Sequence, residues 1–588
     1  MLKEKDFKVL YYIYQNTNSS QRKIAENIGI SLGLTNSIVK KLTDLKYIDQ
    51  NCITAKGINE LDNFKVHNAI ILAAGLSSRF APISYEKPKG LLEVRGEILI
   101  ERQIEQLHEA GIDDITVVVG YKKEYFFYLQ EKYGVSIVVN NEYATRNNHS
   151  SLMAAIDKLD NTYICSSDDY FTVNPFESHV YRAYYASEFI EGKTKEWCLS
   201  TTPSDKITDV EIGGCDSWIM LGHVYFDRAF SSKFAQIIRD EYDLAQTKDK
   251  LWEELYIDHI NELDMYIKRY DKGIINEFDS LDEVRDFDPT FIKNVNSQVF
   301  SNICSVLKCD VEEIHDIYPL KQGLTNLSFH FRTNSGVYVY RHPGIGTEKM
   351  IDRYAEYEAQ KLGSDLGIDT TFIYEDPKTG WKLTRFIENA KPLDTKDFDQ
   401  VHTAMQMCKK LHEADIQLSS EFNYYKEAQK YEDILLQRGE IEIPHYYENR
   451  SLIEELESFV IADNVPLCVC HNDILDLNFL IDENNHFDLI DWEYAGMSDY
   501  ANDFGTYCIG SQYTEEEIDK TLELYFERKP TVEETRHNYA HIALAGWCWY
   551  VWSLVKEAEG AVIGEWLYIY YNYGMTYAKK ALDLYRNN

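Results

Sequence analysis

The run His471-Asn472-Asp473-Ile474-Leu475-Asp476-Leu477-Asn478 limits what this chain can be more than any other stretch of its 588 residues. An apolar strand over 466–470 leads into it. Two further strand-like pieces, 479–481 and 487–490, then form a hairpin ending in Asp491-Trp492-Glu493. Asp473, the amide of Asn478 five residues on, and the carboxylate of Asp491 on the following strand make a set suited to phosphoryl transfer. One acid faces a hydroxyl, while an amide and a second acid hold Mg2+. Ordinary acidic loops around a hairpin do not require that order and spacing.

The upstream sequence supplies the rest of a bilobal, protein-kinase-like layout. Lys321-Gln322-Gly323-Leu324-Thr325-Asn326, between two strand-like stretches, is suited to cover ATP phosphates through Gly323, Thr325 and Asn326. Residues 337–341 end on a cation, Arg341, and a helix expected over 350–363 offers Glu356 or Glu358 to pair with it, Glu356 being preferred. The stretch 385–387 is expected as the hinge to a larger lobe beginning near Asp397. With Ile490-Asp491-Trp492-Glu493-Tyr494-Ala495, Asn502-Asp503-Phe504-Gly505 and Trp547-Cys548-Trp549-Tyr550-Val551-Trp552, the region 300–588 resembles the choline kinase and aminoglycoside phosphotransferase superfamily, and choline kinases in detail. That resemblance implies ATP as donor, Asp473 as the residue that deprotonates the choline hydroxyl, and Mg2+ on Asn478 and Asp491. Trp549 and Trp552 share a helix face and, with Glu493, are expected to cage a trimethylammonium group; Asp503 is expected to brace the catalytic loop.

A second phosphate-handling pattern precedes it. The apolar strand 68–72 runs into Ala73-Ala74-Gly75, where small side chains let backbone N–H groups approach a triphosphate. Arg79 follows, and Lys87-Pro88-Lys89-Gly90 brings in a second cation. Strands and helices then alternate as in a doubly wound α/β domain, in which ligands lie at the carboxyl ends of strands. One such end, after strand 163–167, delivers Asp168-Asp169. Leu72-Ala73-Ala74-Gly75-x3-Arg79, Pro88-Lys89, Tyr143-Ala144 with Asn147-Asn148 and Ser151-Leu152, and Glu277-Phe278-Asp279-Ser280 together resemble bacterial CTP:phosphocholine cytidylyltransferases over 67–290. The resemblance implies CTP contacts at residues 72–75, Arg79, Lys89 and Asn148, and Mg2+ on Asp168 and Asp279. It makes Trp197 and Trp252 candidates for the choline headgroup. Where relatives often carry Asp-x-Asp this chain has Ser166-Ser167-Asp168, which shifts weight onto Asp168, Asp169 and Asp279. Sugar-phosphate nucleotidyltransferases share the fold.

The first 66 residues resemble the winged helix-turn-helix of MarR-type regulators. Helical spacing in 6–15 and 21–28 precedes a third helix with Leu34, Ile38, Leu42 and Leu45 expected inward, then a hairpin over 48–53. Thr35, Asn36, Ser37 and Lys40 would be the contacts to DNA; docking against the enzyme body, or ligand sensing, is the other reading.

Length implies about three to four domains, and the motifs and resemblances divide the chain into the winged helix at 1–66, the nucleotidyltransferase at 67–295 and the kinase-like domain at 296–588, a multidomain α/β and α+β chain. The net charge of −37 speaks against bulk binding to nucleic acid or anionic lipid, though residues 1–67 hold ten Lys plus Arg against seven Asp plus Glu. Eleven scattered cysteines fit a reduced cytoplasmic protein, and no apolar run is long enough to span a membrane. Together the resemblances imply choline, ATP, phosphocholine and CTP as substrates and CDP-choline as product, with phosphocholine decoration of bacterial surface polymers as its expected use. A choline-metabolite-sensing regulator, and ethanolamine or a sugar phosphate as substrate, are the alternatives.

Overall fold

The computed structural model describes residues 2–320, 326–344 and 352–587. It divides into two compact units, 1–305 with 310–312, and 306–309 with 313–588. Each is described by itself.

In the first unit, helices Glu4–Gln15, Gln21–Ile28 and Leu32–Asp44 and the hairpin Ile48–Asp49/Cys52–Ile53 form the winged helix. Ser20 and Ser31 cap the second and third helices by accepting from Lys23 N and Leu34 N, a favourable end for orphan amides. The inward face of the third helix is Thr35, Ile38, Val39 and Leu42, while Leu34 and Leu45 stay exposed. Ile38 and Leu42 thus face inward as expected, whereas Leu34 and Leu45 do not, Thr35 and Val39 being buried instead. Thr35 is fully buried and donates to the Ser31 carbonyl, which removes it from any DNA-facing surface; Asn36, Ser37 and Lys40 remain exposed. The first helix docks on the rest of the unit, with Phe64 stacked on Tyr181, Phe7 tilted against the Tyr181 ring, and the Tyr11 hydroxyl 3.0 Å from Ser178 Oγ.

The α/β part is built on a seven-stranded sheet. Strands Asn68–Ala73, Ile115–Val119, Ser136–Val139 and Thr162–Ser166 are mutually parallel neighbours, as alternating strands and helices require. The other half was not legible in the sequence: an antiparallel hairpin of 18 and 20 residues, Tyr184–Thr201 and Ile207–Phe226, extends the sheet, with Tyr266–Tyr270 along its edge. Several bulges in that hairpin break strict alternation, so a period-two pattern does not persist along it. Apolar layers cover both sheet faces.

In the second unit a five-stranded antiparallel sheet and helix Arg353–Asp365 form the smaller lobe. The larger lobe starts with helix Phe398–His412, capped by Asp397, and is dominated by the pair Val532–Ala558 and Glu565–Asn587. Gly546 and Gly574 let those helices approach closely, since a Cβ at Gly546 would lie 2.6 Å from Gly574 N. Among the described residues no helix is long and apolar enough to cross a membrane.

Candidate active sites

The first unit opens two clefts, the first of them at the carboxyl ends of its parallel strands. One, of about 290 Å3, is lined by Leu72, Ala73, Ala74, Gly75, Lys89, Asn148 and Asp168 among others. Lys89 is nearly buried and forms an ion pair with Asp168, its ammonium 4.4 Å from the Phe80 ring. Gly90 is needed beside it, because a Cβ there would meet Ser167 Oγ at 2.7 Å. Gln103 fixes the Asp168 loop by donating to the carbonyls of Ser166 (2.8 Å) and Asp169 (2.9 Å). Asn148 accepts from Trp252 N at 2.7 Å and donates to Glu253 at 3.1 Å. It thereby fixes the start of helix Trp252–Asp258.

The second cleft, about 850 Å3, gathers Arg79, Trp197, Glu253, Glu277 and Asp279. Arg79 pairs with Asp279 at 3.0 Å. Glu277, whose strand pairs with that of Asp169, is the acid that motif spacing left without a role. The cleft walls and the Asp168 and Asp279 carboxylates push it up to about 7. Asp169 is fully buried, with neither carboxylate oxygen hydrogen-bonded among the described residues; burial and Glu277 raise its pKa well above the usual range. Asp168 and Asp279 are thus paired with Lys89 and Arg79, whereas burial and neighbouring carboxylates disfavour the charged forms of Asp169 and Glu277, a cost that a bound divalent cation would offset. Trp197 faces this cleft. Trp252 does not: it is 3% exposed, stacks on Tyr185 and packs against Phe226 and Phe234, so it belongs to the core and not to a headgroup site.

In the second unit Asp473 stands where strand Cys468–Cys470 ends. Asn472 beside it has φ 62° and Asp491 has φ 70°, left-handed conformations that cost energy and need support. At Asn472 Asp503 gives that support: its carboxylate accepts from His471 N (3.0 Å), Asn472 N (2.5 Å) and His412 Nε2 (2.9 Å). Burial and the Asp491 carboxylate push Asp473 up to about 8, against the opposing hydrogen bond from Asn478.

Arg341 is buried and lies 2.5 Å from Glu356 and 4.0 Å from Asp491. Lys382 and Arg353 also reach Glu356, at 3.0 and 2.8 Å. Lys382 is the cross-strand neighbour of Arg341, a placement set by sheet register that no local motif announces. Together these cations hold Glu356 well below the usual carboxylate range despite its burial. A cleft of about 490 Å3 runs from Asn326 and Arg341 past Lys382 and the 385–387 hinge to Asp491. Gly323 and Thr325 lie outside the described residues.

Glu493 turns into this cation cluster, not into an aromatic cage. It accepts from Arg341 at 3.1 Å and from Asn326, with Arg353 3.6 Å away. A buried carboxylate so placed is committed to the guanidinium groups, which corrects its expected role at choline. Trp549 instead meets Trp552 edge-on at 5.8 Å and Tyr494 at 5.6 Å. Tyr570, whose ring lies 5.5 Å from that of Trp566, is pushed up to about 12 by burial and by the Asp473 carboxylate. Neither tyrosine was identified from the sequence, although Tyr494 directly follows Glu493.

Comparison with known proteins identifies three domain families along the chain. Family models match for a winged helix-turn-helix DNA-binding domain at residues 2–49, a MobA-like NTP transferase domain at 69–176 and choline/ethanolamine kinase at 317–541. The choline-phosphate cytidylyltransferase of Streptococcus pneumoniae is 38% identical over 228 residues, 39% of this chain and 99% of that protein. The 2-aminoethylphosphonate cytidylyltransferase of Lancefieldella rimae is 37% identical over 234 residues, 39% of this chain and 95% of that protein. Protein LicA of Haemophilus influenzae is 26% identical over 261 residues, 41% of this chain and 94% of that protein. The chain therefore belongs to the choline-phosphate cytidylyltransferase family, joined in one polypeptide to a winged helix-turn-helix and a choline/ethanolamine kinase domain.

Proposed function

We propose that the chain phosphorylates choline with ATP and couples the resulting phosphocholine to CTP, releasing diphosphate and forming CDP-choline. The observation that carries this reading is the presence in one chain of a kinase domain and a cytidylyltransferase domain whose chemistries join. The product of the first is the acceptor of the second.

At the kinase site Asp473 accepts the hydroxyl proton as the choline oxygen attacks the γ-phosphorus and ADP departs. Its raised pKa, near the working pH, suits a base. Arg341, tied to Glu356, faces the phosphates, and Trp549, Trp552, Tyr494 and Tyr570 surround the quaternary ammonium, which binds aromatic faces because it has no N–H to donate. At the transferase site a phosphocholine oxygen attacks the α-phosphorus of CTP while Lys89 and Arg79 offset charge there and on the leaving diphosphate. Trp197 receives the headgroup. Asn478 and Asp491 in one site, and Asp168 and Asp279 with Glu277 and Asp169 in the other, would hold Mg2+, which when bound neutralises phosphate charge.

The reading places the protein in the cytoplasm, with phosphocholine decoration of surface polymers as the use of its product. Asn36, Ser37 and Lys40 are the residues that would meet DNA. Salt-dependent binding of a duplex, weakened by Lys40→Ala, tests that role. The catalytic reading is tested by supplying the full chain with ATP, CTP, Mg2+ and choline, ethanolamine or 2-aminoethylphosphonate, and following ADP and the cytidylyl product by mass. CDP-choline formed from choline supports it. Turnover of the other amines alone reassigns the substrate, and no turnover with any of them removes the catalytic reading.

A further inference from the structure

We propose that His537, His541 and Asp499 form a site for a Zn2+-class divalent ion, separate from the Mg2+ carboxylates of the phosphoryl-transfer site. His537 and His541 lie one turn apart on helix Val532–Ala558, so both imidazoles share a face. Asp499 stands just before helix Ala501–Gly510, held by the Ala501 N–H at 3.0 Å. The three candidate ligand atoms lie within 4.8 Å of one another. Asp499 Oδ2 is 2.9 Å from His537 Nε2 and 3.5 Å from His541 Nε2. Tetrahedral Zn2+ with bonds near 2.05 Å separates its ligands by about 3.3 Å. One contact already fits, and the other needs to open by about 0.4 Å.

The hydrogen bond behind His541 sets its tautomer, whereas both ring nitrogens of His537 face carboxylates, those of Asp463 and Asp499, at 2.9 Å. Asn502 donates from Nδ2 to Asn472 Oδ1 and to Ser498 Oγ, so its oxygen faces His541 Nδ1 at 2.7 Å. An amide oxygen only accepts. His541 Nδ1 therefore carries the hydrogen, and Nε2 turns toward Asp499. That Nε2 is buried, has no hydrogen-bond partner among the described residues, and belongs to a side chain 5% exposed. His537 Nδ1 similarly lies 2.9 Å from Asp463, which is anchored by Arg536 at 3.1 Å and by the Tyr585 hydroxyl. A carboxylate or carbonyl behind each ring nitrogen is the usual support of metal-binding histidines. A cavity of about 200 Å3 lined by Asp499, Asn502 and His541 leaves room for a fourth ligand. An ion here would tie the long helix to Asp499 and Asn502, within four residues of the Asp503 that holds the loop bearing Asp473.

The test uses the full chain stripped with a chelator and titrated with Zn2+ alone, with bound metal counted after desalting. One equivalent is expected for the wild type, with affinity lowered at least about 100-fold in His541→Gln and in His537→Gln/His541→Gln. Should the variants misfold, Co2+ bound to the wild type decides the matter: intense four-coordinate visible bands without a thiolate charge-transfer band are expected. Three outcomes overturn the site. The wild type retains no ion, leaving an imidazolium held between Asp463 and Asp499; the double variant folds and binds as well as the wild type; or a thiolate band places the ion at Cys470 with His412 and Asp503.

Discussion

Asn478 Nδ2 donates both to the Asp473 carboxylate, at 3.1 Å, and to the Asp473 backbone carbonyl, at 2.8 Å. One side chain thus fixes the direction of the carboxylate and the turn that carries it, leaving its own amide oxygen for other partners. The base is positioned before any substrate arrives, which is where most of the rate of phosphoryl transfer originates. Asp473→Asn keeps the shape of the group and removes its basicity. It is expected to lower ATP-dependent choline phosphorylation by about 10^2 to 10^4-fold while CDP-choline formation from added phosphocholine stays at the wild-type rate. A coupled assay measures both, and a variant that retains kinase activity takes Asp473 out of the mechanism.

The complementary prediction concerns Lys89. Its ammonium is enclosed between Asp168 and the Phe80 ring, a low-dielectric position where a fixed charge acts strongly on a developing one. Lys89→Met is expected to cost about 10^2 to 10^3-fold in cytidylyl transfer and to leave choline phosphorylation intact, so that phosphocholine accumulates when ATP, CTP and choline are supplied together. Accumulation of CDP-choline at an undiminished rate is the result that would contradict it.

Glu356 carries an unusual burden, with Arg341, Lys382 and Arg353 all within 3.0 Å of its carboxylate and none of the three exposed. Removing the shared anion leaves three buried cations to repel one another, partly offset by Glu493. Breaking a buried pair by deleting one partner costs about 3 to 5 kcal/mol. Glu356→Gln is therefore expected to lower the thermal midpoint of the kinase unit by several degrees, as well as its affinity for ATP. Calorimetry checks this, and a midpoint unchanged within a degree would show that the cluster relaxes into solvent.

What the sequence disclosed follows from how local each signal is. Asp473, Asn478 and Asp491 lie within 19 residues of one another, and strand, loop and hairpin place them together with little help from the rest of the chain. The Ala73-Ala74-Gly75 loop and Lys89 were readable for the same reason, since both now line one cleft. Lys382 was not, because its meeting with Arg341 depends on the register of two strands far apart in sequence. Tyr570 reaches the Asp473 side from the last helix. Trp252 and Glu493 misled in opposite ways. A tryptophan near a motif is as ready to fill a core as to hold a ligand, and a carboxylate beside a catalytic acid answers first to the nearest buried guanidinium.

The seam between the winged helix and the α/β part has its own pH dependence. His179 is 6% exposed there, with Nδ1 3.0 Å from Ser178 Oγ and its ring 5.2 Å from that of Tyr11. Burial is the main cause that brings it down to about 4, with Lys65 adding to the effect and Asp62 opposing it. An unfolded histidine takes up a proton near pH 6.5. Between those values the unfolded chain holds a proton that the folded chain refuses, so stability falls as pH drops from about 6.5 towards 4. The full difference amounts to about 3 kcal/mol. His179→Phe retains a ring against Tyr11 without a titrating group, and is expected to lose less stability than the wild type across that window. Denaturant unfolding of the first unit, followed at half-unit pH intervals in both proteins, measures the difference. Parallel curves would mean that the imidazole finds water when protonated, and that the seam opens at little cost.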